Sequence, residues 1–202
     1  MKRFDGPKDG CELKEKILDA ADARFRTYGF KKTAMSEIAD DLGMSTSNLY
    51  RYFPSKLDIV EGFALRCFVE KEKALTAMID LSSKSPKICL KEYGNALLKY
   101  NFQQLNEYPM LKEIIMALCE VNSELVDRKR EGELSILKDI LEKGQEQNCW
   151  AIDDLEETGL AIMASWVMFS TPTFMRHQTL EQLEKRLSNL LNLIINGLKV
   201  RG

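Results

Sequence analysis

The chain has 202 residues, 45% hydrophobic and 30% charged, with only five prolines and eleven glycines. That is enough apolar material for a sizeable core in one large or two small domains, and it excludes collagen-like, disordered and low-complexity classes. The net charge of -2 excludes polyanion binding by bulk charge, although residues 1–56 carry eleven Lys/Arg against nine Asp/Glu while the remainder is net acidic.

Residues 1–11, with two glycines and a proline, predict a loose arm. From Leu13 a helical period begins, with Ile17, Ala20, Ala21, Phe25 and Tyr28 at spacings of three and four, and Gly29 closes it. Thr33 is read as opening a second, short helix that carries Met35, Ile38, Ala39 and Leu42 and ends at Gly43. Ser45 opens a third, with Leu49, Tyr50, Tyr52 and Phe53. After Pro54, Ser55 caps a fourth that runs to about Ile79. LSSKSP, residues 81–86, reads as a linker. Amphipathic segments follow at about 87–106, 109–121, 123–147, 155–174 and 180–200, punctuated by Pro109, by Gly144 with Asn148, and by a turn or kink at Thr171–Pro172–Thr173. No strand pattern and no repeat interrupts them. The predicted fold class is all-α: an N-terminal three-helix domain (12–60) and a C-terminal helical domain (61–202).

The segment IADDLGMSTSNLYRY, residues 38–52, carries the functional argument. A helix-turn-helix needs apolar residues where its helices meet, a small residue at the crossing and a turn residue that accepts positive φ. Ile38, Leu42, Met44, Leu49 and Tyr52 fill the first requirement, Ala39 the second and Gly43 the third, and Ser45 caps the second helix of the pair. An ordinary αα-corner would satisfy the same slots. The polar opening Ser45–Thr46–Ser47–Asn48 distinguishes a recognition helix, whose first residues face bases and phosphates. Asp40 and Asp41 would repel DNA and are therefore placed on the outer face of the preceding helix.

The longer stretch GFKKTAMSEIADDLGMSTSNLYRYFPSK resembles the DNA-binding domain of the TetR/AcrR family of repressors, over roughly residues 12–60. The resemblance implies that Thr33 caps the second helix with its N-terminus toward a phosphate, and that Ser36 touches phosphate or a base. It makes Thr46 and Ser47 the leading base contacts, with Asn48 next. Tyr50 and Tyr52 resemble a family tyrosine pair on the DNA backbone, and Lys56 a family lysine on phosphate. Ala34 stands where the family often has a second threonine. A frequent family glycine is replaced within Ser47–Asn48, which changes operator preference without threatening the fold.

A palindromic duplex operator calls for two recognition helices about 34–36 Å apart, hence a homodimer. The last two helices offer the surface, although part of each stripe must be internal core: Leu160, Met163, Ala164, Val167 and Met168 on one, and Leu183, Leu187, Leu190, Leu191, Ile194 and Leu198 on the other. Tyr93, Tyr100, Phe102, Met116, Cys119, Met163, Trp166 and Phe169 are candidate lining residues for an apolar effector pocket, although stripes at helical spacing also build ordinary cores. The family usually binds a small hydrophobic or amphipathic effector there.

The five cysteines are odd in number, widely spaced and free of any CxxC, which predicts reduced thiols rather than a disulfide scaffold or zinc site. There is one histidine, His177, and no nucleophile–base pair, metal motif or phosphate loop is suggested, so neither enzyme activity nor a cofactor is expected. The acidic run Asp153, Asp154, Glu156, Glu157 reads as a helix N-terminal charge cluster. No signal peptide or bilayer-length apolar run is read, which places the chain in the cytoplasm without a membrane partner. Two alternatives stay open: a regulator governed by a protein partner or by thiol oxidation, and a helical interaction protein that has lost DNA binding.

Overall fold

The computed structural model describes residues 8–107, 115, 118–120 and 122–200. Among the described residues the fold is all-α. The helices are α1 (Lys8–Tyr28), α2 (Met35–Asp41), α3 (Thr46–Tyr52), α4 (Lys56–Ala77), α5 (Pro86–Glu107), α6 (Ser123–Glu146), α7 (Leu155–Ser165), α8 (Val167–Ser170), α9 (Pro172–Met175) and α10 (Leu180–Gly197). An isolated antiparallel bridge joins Trp150 to Lys199. Most of the segment expected at 109–121 lies outside the described residues. The chain divides into two compact units, residues 1–67 with 108–125, and residues 68–107 with 126–202.

In the first unit, Ile17, Ala21 and Phe25 recur every fourth residue on α1 and are buried, meeting Ile38 and Ala39 of α2, Leu49 of α3, and Ile59, Val60 and Phe63 of α4. The helix already includes Lys8–Cys11, so the loose arm expected over 1–11 does not extend that far. Gly29, at φ +84°, ends it by donating its N–H to the Phe25 carbonyl at 3.0 Å.

In the second unit, α10 packs along α5. Leu90, Tyr93, Leu97 and Leu98 of α5 form one core with Leu137, Ile140 and Leu141 of α6 and Leu183, Leu187 and Leu191 of α10. Three leucines assigned from the sequence to the dimer stripe, Leu183, Leu187 and Leu191, are thus wholly internal. Their period is that of a core face, which sequence spacing cannot distinguish from an interface.

The single helix expected over 155–174 is instead three short helices. The first break falls at Trp166 (φ -107°, ψ 19°) and the second at Thr171 (φ -112°, ψ 116°). Pro172 explains the second, because proline drives its predecessor out of the α region. At the first, Trp166 is 1% exposed and its ring meets Tyr93 edge-on at 5.6 Å. The buried Asn101 amide donates to the Phe169 carbonyl at 3.4 Å. Asp154 opens α7 by accepting the N–H groups of Glu156 and Glu157 at 2.9 and 3.0 Å, in keeping with the expected acidic helix start.

The 78–85 connection is a tied loop rather than a slack linker. The Asp80 carboxylate accepts the N–H and hydroxyl groups of Ser82 and Ser83, which hold it well below the usual carboxylate range. Lys143 of α6 donates to the carbonyls of Leu81 and Lys84.

Candidate nucleic-acid interface

The turn between α2 and α3 is set by Gly43 at φ +63°. Its N–H reaches the Asp40 carbonyl at 3.0 Å, and the Met44 N–H returns to Ala39 at 3.0 Å. Ala39 is fully buried, as the close crossing of two helices requires. Ser45 then caps α3, its Oγ accepting the Asn48 N–H at 3.2 Å.

Along α3, Leu49 is 0% exposed and Phe53, just beyond its end, is also buried, whereas Ser47, Tyr50 and Arg51 are exposed. Thr46, Asn48 and Tyr52 are half-buried, and Tyr52 packs against the unit's core. Ser36 is exposed on α2, which packs against α3.

Two assigned residues have different surroundings from those expected. Thr33 is 2% exposed and does not cap α2. Its hydroxyl donates to the Gly29 carbonyl at 3.0 Å. Ala34 holds the N-cap position, and its N–H is taken by the Glu37 carboxylate at 2.7 Å, so no side-chain oxygen is needed at the cap. The Lys56 ammonium, expected to reach for phosphate, is turned inward. It donates to the carbonyls of Phe30 and Thr33, both at 2.6 Å, and lies 4.3 Å from the centre of the Phe30 ring.

The charges of this unit are largely internally matched. Arg24 binds Asp41 through two nitrogens, at 2.5 and 2.8 Å, and approaches Glu37 at 3.4 Å. The hydrogen-bonded guanidinium is the main reason the Asp41 carboxyl lies below its ordinary value. Arg26 pairs with Asp22, and Arg66 with Asp19 and Glu15. The expected outward placement of Asp40 agrees with its exposure, and Asp41 is both exposed and engaged by α1.

The proposed effector residues fall in different surroundings. Tyr93, Trp166 and Phe169 are buried in the second unit's core, and Phe102 and Met163 pack on its edge. The Tyr93 hydroxyl donates to the Glu133 carbonyl at 3.2 Å. Tyr100 is half-buried, Cys119 belongs to the first unit, and Met116 lies outside the described residues. A surface groove of about 490 Å³ lies elsewhere, lined by Val69, Glu72, Lys73, Thr76, Ala77 and Arg128.

Residues 17–62 match the family model described as bacterial regulatory proteins of the tetR family, and residues 86–191 match a tetracyclin repressor-like C-terminal domain. The chain belongs to the TetR family. It is a transcriptional regulator with a helix-turn-helix DNA-binding region. Among solved structures it is similar to a TetR-family regulator from Mesorhizobium loti, at 17% identity and a TM-score of 0.72, covering 96% of this chain and all of that one. A TetR-family structure from a Shewanella species gives 24% and 0.63, covering 93% and 98% of the two chains. Thermus thermophilus FadR, a TetR-family repressor solved with lauroyl-CoA, gives 20% and 0.65, covering 94% and 96%. At these identities the likeness is one of fold. No curated protein sequence matches the chain. None of the described helices is long and apolar enough to cross a membrane.

Within this TetR-family unit, Arg51, Lys31 and Lys32 stand outside the set assigned from the sequence. All three are exposed, and none has a side-chain ion pair or hydrogen bond among the described residues. The signal available for Arg51 was its place four residues after Ser47, which puts both on one helix face.

Proposed function

We propose that this TetR-family chain is a cytoplasmic repressor, bound as a homodimer to a palindromic operator and released by a small hydrophobic or amphipathic effector. The observation that carries the DNA reading is α3: a short helix capped by Ser45, anchored by Leu49 and exposing Ser47 and Tyr50, with Thr46 and Asn48 beside them. Residues 12–60 are assigned to DNA binding and 61–202 to effector binding and dimerisation. Thr46, Ser47 and Asn48 read bases, and Ser36, Tyr50 and Tyr52 contact the backbone. Ser45, Thr33 and Lys56 serve mainly by shaping the helices that make those contacts.

Dimerisation is assigned to the outer faces of α7, α8 and α10, where Ala164, Val167, Met168 and Leu193 are exposed and Leu190, Ile194 and Leu198 are half-buried. An amphipathic effector is supported by the acyl-CoA seen with the Thermus relative. Its place is proposed where Phe102 and Met163 edge the core, with Tyr93, Trp166 and Phe169 behind them and the half-buried Tyr100 as a further contact. A ligand there acts by binding the DNA-incompetent population more tightly.

Fluorescence anisotropy against promoter fragments flanking the gene tests the reading. The expected result is salt-sensitive, sequence-selective binding by a dimer, reversed by lauroyl-CoA or related amphiphiles. Absence of selective binding would remove the DNA assignment. Selective binding that no amphiphile or lipophile reverses would remove the effector assignment alone.

A further inference from the structure

We infer that Arg51 is a base-reading residue and that it takes guanine. The inference rests on α3 entering the major groove, as proposed above, and adds a specificity determinant to it.

Face is the first argument. Ser47, Tyr50 and Arg51 are the exposed residues within α3, and positions i, i+3 and i+4 lie on one side of a helix. If Ser47 meets base edges, Arg51 follows it one turn further along the same side. Four residues advance about 6 Å along a helix, against about 3.4 Å per base pair, so Arg51 addresses a pair one or two steps from the one Ser47 meets.

Availability is the second. Arg24, Arg26 and Arg66 are each held by carboxylates, and Lys56 by two backbone carbonyls. Of the acids of α2, Glu37 and Asp41 face Arg24 and the exposed Asp40 makes no ion pair with Arg51, while Asp58 at the start of α4 is bound by Ser55. Arg51 therefore keeps a whole guanidinium in water on the helix proposed to read DNA, with no hydrogen bond or ion pair among the described residues.

Chemistry is the third. The other polar residues between Thr46 and Asn48 are short, and each offers at most one or two hydrogen-bonding atoms near the helix. A guanidinium presents a planar fork of donors on a long stem. Guanine is the base whose major-groove edge offers two adjacent acceptors, O6 and N7. Lys31 and Lys32, exposed in the turn before α2, supply charge for phosphates without such a fork. Phosphate neutralisation therefore does not require Arg51.

The test is selection from a randomised palindromic DNA pool with the full-length chain, followed by binding of the selected operator. The intact protein should enrich one guanine per half-site. Arg51→Ala and Arg51→Lys should each lose that enrichment and bind the selected operator roughly tenfold to hundredfold more weakly. Their loss on an operator carrying A·T at that position should be small. Replacing the guanine by 7-deazaguanine, which lacks the N7 acceptor, should weaken the intact protein but leave Arg51→Ala unchanged. Uniform weakening of every sequence by both variants, or equal sensitivity to 7-deazaguanine with and without Arg51, would overturn the inference while leaving α3 as the DNA reader. An intact protein that selects no sequence at all would instead overturn the underlying reading. Unchanged circular dichroism and thermal midpoint in both variants, expected for an exposed residue, separate contact from folding.

Discussion

Lys56 shows how a residue can hold a familiar place in a motif and act through its neighbours. Its ammonium joins two carbonyls from the turn between α1 and α2, at Phe30 and Thr33, to the first turn of α4. Thr33 reinforces the same turn by donating to Gly29. Removing the ammonium leaves two carbonyls without a charged donor, at about 1–3 kcal/mol. Lys56→Met should therefore lower the chain's stability to chemical denaturation by that amount. It should also weaken all DNA sequences alike, because the turn that presents α2 is loosened. A variant that lost affinity with no loss of stability would return Lys56 to direct phosphate contact.

Helix boundaries set by a residue's own backbone or side chain were legible in the sequence, and those set by another residue were not. Gly43 and Ser45 define the turn and the cap through their own backbone and side chain, so spacing was enough to place them. Ser45→Ala should cost about 1 kcal/mol by denaturant titration, since it removes the acceptor of the Asn48 N–H. The start of α2 was misplaced because its cap uses Glu37 rather than a side chain at position 34. The break at Trp166 was missed because it goes with burial of an indole against Tyr93, a contact between residues 73 positions apart. The leucines of α10 were legible as a stripe but not as core or interface. Leu187 is 0% exposed and Leu193 is 71% exposed. Leu187→Ala should cost about 2–5 kcal/mol of stability. Leu193→Lys should leave stability of the monomer nearly unchanged and shift the dimer toward monomer in sedimentation, if α10 is part of the dimer face.

On the scale of the whole molecule, charge is handled differently in the two units. The first keeps its ion pairs on or near the surface, where each contributes little. The second buries one. Lys71 of α4 meets Glu133 of α6 at 2.8 Å, both side chains 9% exposed, and Arg128 binds Glu72 alongside at 2.7 and 2.9 Å. Burial pushes the Glu133 carboxyl up, but Lys71 and Lys129 together outweigh it and hold it below its ordinary value of 4.5. The Lys71 ammonium is lowered, first by burial. A depressed carboxyl contributes stability that is complete above the unfolded value and is lost as pH falls through the folded one. The second unit should thus lose stability as pH falls below about 4.5, the ordinary carboxyl value, and Glu133→Gln should flatten that dependence. Glu133→Gln should also cost about 3–5 kcal/mol near neutrality by stranding Lys71, whereas the double change Lys71→Met with Glu133→Leu should recover most of it. Urea titrations of the single and double variants at neutral and acidic pH measure both effects.

Gly43 turns the chain between α2 and α3 at φ +63°. A methyl group built on its Cα meets nothing within 4 Å. Room is therefore not what reserves this position for glycine; handedness is. Ordinary L-residues dislike φ near +63°, whereas their mirror images favour it. Gly43→Val should destabilise the first unit and Gly43→Asn should do so much less. A full-length chain assembled by ligation with D-alanine at position 43 should be more stable than the natural one, because the same turn is kept while the unfolded chain loses freedom. A thermal midpoint that fell with D-alanine would show that the turn must flex for a reason its geometry does not reveal.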